Sequence, residues 1–196
     1  MVRNIFFTLI GFILLAQFYT ANLFNVIFVL CGVVAYFYNR HNVNIYSLLL
    51  VLVALRTLEI LAFSIFDSRE AYVVYPTYIL LDTVALYAIS TRNKYLAKWE
   101  YRRTGQINVE QFVFTNADYL LQWIYRFYLL LVILTFGEHI LRHLEDFGLP
   151  QSWSDTNLLF FHGIHGGTKL VLNIVEFVAI LATASRHLHS GRFVQA

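Results

Sequence analysis

The chain has 196 residues, of which 59% are hydrophobic and only 13% charged, and its mean hydropathy is +0.61. Soluble domains carry about twice that share of charge, so this composition excludes an ordinary soluble fold and points to a single polytopic membrane domain. A net charge of +2 is too small for nucleic-acid binding, and a lone Cys31 permits neither an internal disulfide nor a cysteine metal cluster.

Apolar runs near the length that crosses a bilayer, about 20 residues, recur along the chain. They predict an all-α bundle of about six transmembrane helices over 5–20, 22–38, 44–66, 71–91, 118–141 and 166–187. The first two are short and close together, so they also fit a hairpin that dips into the membrane without crossing it. Arg3 followed by "IFFTLIGFILLA" imitates a signal peptide, but Tyr19 is too bulky for the cleavage signature, and the run is read as a retained helix.

Lys and Arg fall mainly in alternate connections: Arg3, Arg40, Arg92, Lys94, Lys98, Arg102, Arg103, Arg186 and Arg192 on one side, Arg69 and Arg142 on the other. By the positive-inside bias both termini are expected in the cytoplasm, and the bacterial inner membrane is the expected location. The inner loop 92–117 mixes Lys94, Lys98, Arg102 and Arg103 with Trp99. Its first half reads as an amphipathic helix on anionic headgroups, or as a docking surface for a cytoplasmic protein. "TNAD", Thr115–Asp118, matches a capping box at the start of the fifth helix. The outer loop 142–165 is acidic and rich in turn residues.

Ionisable residues inside apolar spans are costly and are expected to face protein or water. Arg56 and Glu59 share a face of the third span, and Asp82 is central on the fourth. On the last, His165, Lys169, Asn173, Glu176, Thr183 and His187 fall within an arc of roughly 80° at 100° per residue. Asp118, Gln122 and Arg126 follow steps of four on the fifth and form the expected partner stripe, with Arg126 or Arg56 paired to Glu176. Glu59, Asp82 and Glu176 outnumber Arg56 and Arg126, so one acid lacks a basic partner.

These residues fit a buried network that fixes helix packing, or a path for protons or small ions. The expected function is that of a channel-like or transporter-like protein, as a homo-oligomer. The alternative is a non-catalytic membrane subunit or sensor that docks a cytoplasmic partner through the basic 92–110 segment, the third reading is an outward-facing metal or haem protein, and the residues lean away from an enzyme without deciding it. His139 and His143, with His162 and His165 in "FHGIHGG", lie at neighbouring outer helix ends and offer imidazoles for zinc, iron or haem. The preferred reading of that glycine-rich stretch is a wet, flexible helix entrance, with no cofactor.

Overall fold

The computed structural model describes residues 21–39, 42–65, 71–105, 114–154 and 158–190. All of its regular elements are helical: α1 (Ala21–Tyr38), α2 (Val43–Ile65), α3 (Ala71–Thr104), α4 (Asn116–Arg142) and α5 (Phe160–Ser190), with two short 3-10 turns, Leu144–Phe147 and Gln151–Trp153, between the last two. Four helices, α2 to α5, are long and apolar enough to cross a membrane, and α1 contributes a shorter apolar stretch, Phe24–Phe37. The predicted segment 5–20 lies outside the described residues, as do Arg3, Arg40, His41, Arg69, Asp155 and Arg192; so do the side chains of Thr183, His187 and His189.

Consecutive helices pack as antiparallel neighbours around a core that includes Leu48, Leu52, Ile89, Leu121, Tyr125 and Ile180. The outer faces carry Leu, Val, Ile and Phe at high exposure, the expected pattern where the surrounding solvent is lipid. Gly32 brings α1 against α2: a Cβ there would lie 2.5 Å from Val53 Cγ2.

α4 begins where the capping box predicts. Thr115 Oγ1 accepts the Asp118 N–H and the Asp118 carboxylate accepts the Thr115 N–H at 2.8 Å, satisfying two of the amides that a helix start leaves open.

Two predicted boundaries are corrected. The fourth span does not end at 91 but runs on as α3 to Thr104, so the first half of the predicted inner loop is the same helix. Its Lys, Leu, Ala, Glu and Arg are good helix formers, and the helix stops only at Gly105, whose φ is +71°. The last helix starts at Phe160, six residues before the predicted 166, so "FHGIHGG" is helical and not a flexible entrance. The Glu138 carboxylate of α4 accepts the N–H groups of Phe161 at 2.6 Å and His162 at 3.1 Å. A partner 23 residues upstream thereby caps a helix start that carries no acid of its own in the first turn.

Candidate functional site

Polar residues gather at three levels of the bundle. At one end Arg92 of α3 is 5% exposed and Asp118 of α4 is fully buried. Arg92 Nη2 donates to Asp118 at 2.7 Å, while Nη1 donates to Ser47 Oγ at 2.7 Å and to the Asn44 carbonyl. One cation meets one carboxylate here, and the pair ties α3 to the first turns of α2 and α4.

At mid-bundle all five helices contribute. Arg56 is the hub. Its Nη1 donates to Glu59 at 2.7 Å and to Asn25 of α1 at 3.4 Å. Its Nη2 donates to Asn173 at 2.9 Å and to Glu176. Tyr125 donates to the other Glu176 oxygen at 2.8 Å, and Tyr128 donates to Asn173 Oδ1 at 2.6 Å. Lys169 approaches Glu59 at 3.6 Å with its ammonium 3.0 Å from the Tyr78 ring centroid. Glu176 is fully buried; without these donors its charge would cost several kcal/mol.

A cavity of about 20 Å³ opens beside this hub, lined by Arg56, Glu59, Tyr78, Asp82, Tyr128 and Lys169 among others. It has room for one water molecule. The Arg56 Nε–H is buried beside it and meets no protein acceptor among the described residues. Asp82 lines the same cavity and lies within ion-pair or hydrogen-bond range of no described residue. The layer therefore holds three carboxyls, Glu59, Asp82 and Glu176, and two cations, Arg56 and Lys169.

Between these two levels lies an apolar layer. Leu52, Ile89 and Leu121 are each fully buried and sit about one turn from the hub on α2, α3 and α4. The opposite half is more polar: beyond Lys169 comes His165, whose Nε2 is buried with no hydrogen-bond partner among the described residues, and Tyr75, whose hydroxyl lies 3.3 Å from His162 Nδ1.

The predicted site residues divide accordingly. Arg56, Glu59, Asp82, Lys169, Asn173 and Glu176 share the central layer. Arg126 does not join it. It is exposed, stacked 5.3 Å from the Trp123 ring centroid, and Gln122 is only half-buried. Steps of four drift by about 40° each, so Arg126 stands about 80° from Asp118, whereas Tyr125, seven residues on, is only about 20° away. The partner stripe of α4 is thus Asp118, Leu121, Tyr125 and Tyr128. The two tyrosines were not singled out from the sequence, although their spacing from Asp118 carried the signal.

His139 and His143 stack with ring centroids 4.6 Å apart, but His162 turns to Tyr75 and Glu138 serves as a helix cap. Among the described residues no three His, Cys, Asp or Glu side chains are grouped to hold a metal ion. Lys94, Lys98, Trp99, Arg102 and Arg103 are all exposed on the end of α3. No family model matches this chain, and comparison with curated proteins and with solved structures finds no match.

Proposed function

We propose that this chain moves protons across a membrane, using the central layer as its exchange site. The supporting observation is the charge imbalance around a water-sized cavity. Arg56 is already shared between Glu59 and Glu176, and Lys169 leans on Glu59. Asp82 faces the same cavity without a hydrogen bond or close ion pair among the described residues, and the cation that acts on it most, Lys169, is shared with Glu59. In a low-dielectric interior such a carboxyl changes charge by exchanging a proton with water, because an isolated charge there is costly.

Lys169, His165, Tyr75 and His162 supply exchangeable groups toward one end, and imidazole and phenol suit short proton transfers. The layer of Leu52, Ile89 and Leu121 closes the other. On this reading transport needs alternating exposure, in which a second arrangement wets the apolar layer. By the distribution of Lys and Arg, the Arg92 end is the cytoplasmic one.

The test is proton uptake by liposomes holding the purified chain, driven by a potassium diffusion potential and read with an internal pH dye. Flux above that of empty liposomes is expected, with its loss in Asp82→Asn and its retention in Arg126→Gln. No flux in the wild type, or unchanged flux in Asp82→Asn, contradicts the proposal.

A further inference from the structure

The end of α3 carries a surface that the central layer does not use. α3 has 34 residues, a length of about 51 Å at 1.5 Å per residue, well beyond the roughly 30 Å of a hydrocarbon core. Arg92 fixes where the excess lies, because its partners Asn44, Ser47 and Asp118 stand in the first turns of α2 and α4. From Asn93 to Thr104, about 18 Å of helix, α3 projects past the ends of its neighbours.

That projection holds Lys94, Lys98, Arg102 and Arg103 against a single acid, Glu100. All four cations are exposed, as are Tyr95, Trp99 and Tyr101. The direction in which they face decides what they meet. Leu80, Val84 and Tyr87 are exposed on the apolar part of the same helix. At 100° per residue, Lys94, Lys98 and Arg102 fall within about 40° either side of that stripe. The lipid-facing side of the span therefore runs directly into a basic stripe. Tyr95 lies alongside, with its hydroxyl 2.9 Å from that of Tyr87, and Arg103 stacks on Trp99 at 5.4 Å from the ring centroid.

We propose that Lys94, Lys98 and Arg102, with Arg103 to one side of them on Trp99, bind the phosphate headgroups of anionic phospholipids, with Tyr95 and Trp99 interleaved among them in the interfacial layer. Rings of this kind concentrate where headgroups meet acyl chains, and basic side chains just outside a span are drawn to anionic lipid. A soluble protein partner would be served by any face of the projection. Continuity with the lipid-facing stripe selects the bilayer instead. The inference is independent of proton movement.

The experiment is native mass spectrometry and thermal melting of the full chain in neutral detergent, titrated with phosphatidylglycerol or phosphatidylcholine. Phosphatidylglycerol should be retained preferentially and should raise the melting temperature, with both effects weakening as salt is added. The triple variant Lys98→Gln, Arg102→Gln, Arg103→Gln should bind phosphatidylglycerol on the order of 100-fold more weakly. It should melt as the wild type does in lipid-free detergent, because the three side chains are exposed. Lys98→Arg should bind as the wild type does. Equal retention of the two lipids, or equal retention by the triple variant, overturns the proposal. So does stabilisation by inorganic phosphate alone to the same extent, which would mark a free-anion site. A soluble protein that binds this face while phosphatidylglycerol does not would give the surface to a protein partner.

Discussion

At the Arg92 end of the bundle one guanidinium meets one carboxylate, and a serine hydroxyl, a backbone carbonyl and a capping box supply the other hydrogen bonds, with Arg92 Nε alone of that guanidinium left without an acceptor among the described residues. At mid-bundle three carboxyls share two cations around a cavity the size of a water molecule. Both layers are built from the same residue types, and both hold separate helices in place. The difference teaches which buried charge is structural. A closed pair has nothing left to exchange, whereas an unbalanced cluster keeps one group whose charge state is free to change.

The largest effect expected from breaking this contrast is at Arg56. Arg56→Met removes the cation shared by Glu59 and Glu176, and leaving buried carboxylates unpaired costs about 3–5 kcal/mol. Thermal melting in detergent should show the loss, and a variant as stable as wild type would mean that the hub bears no load. Close behind comes Asp118→Asn, which strands Arg92 at about 3 kcal/mol. Here a double replacement, Arg92→Met with Asp118→Leu, should recover most of the stability, because a closed pair can be exchanged for apolar packing. The equivalent double change at Arg56 and Glu176 should not recover it, since Glu59 and Asn173 would lose the Arg56 guanidinium and Tyr125 its acceptor. Equal recovery at both levels would erase the distinction.

A smaller effect belongs to the helix contact that brings α1, with Asn25, up to the hub. Gly32→Ala forces a methyl against Val53 Cγ2. Overpacking of this kind costs about 1–3 kcal/mol, and a double-mutant cycle with Val53→Ala should relieve it. The smallest concerns the loop after α4, away from both layers. The Ser154 hydroxyl donates to Glu145 and holds its carboxyl below the usual glutamate range. A depressed carboxyl stabilises the fold above its ordinary pKa and loses that contribution as pH falls through the folded value. Ser154→Ala should move the Glu145 titration up, as followed by carboxyl NMR, and lower the melting temperature slightly at neutral pH, a difference that disappears as pH falls through the folded value.

Much of the central layer was legible because intramembrane charge is so costly. Arg56, Glu59, Asp82 and Glu176 could be placed at mid-span from their positions alone, and Lys169 and Asn173 followed as members of one polar stripe on the last helix. What misled was small errors of phase and long-range partnership. Steps of four drift around a helix, and that drift sent Arg126 outward and Tyr125 inward. The glycines of "FHGIHGG" resemble a loop until Glu138, on another helix, caps their backbone. The basic stretch after Arg92 looks like a connection by composition, yet nothing in it breaks a helix before Gly105. Arg92 and Asp118 were both visible as charges near span ends, but their pairing depends on how α3 meets α4, which no local pattern encodes.

The most direct test of the contrast is the melting temperature of Asp82→Asn beside that of Asp118→Asn in the same detergent. Both replace a carboxylate with an amide of nearly the same shape. If Asp82 is the surplus acid, its variant should keep the wild-type melting temperature to within about 1 kcal/mol of stability, or gain slightly, while Asp118→Asn loses about 3 kcal/mol. A loss at Asp82 as large as that at Asp118 would show that it is a bound structural charge, and the central layer would then be a second closed network.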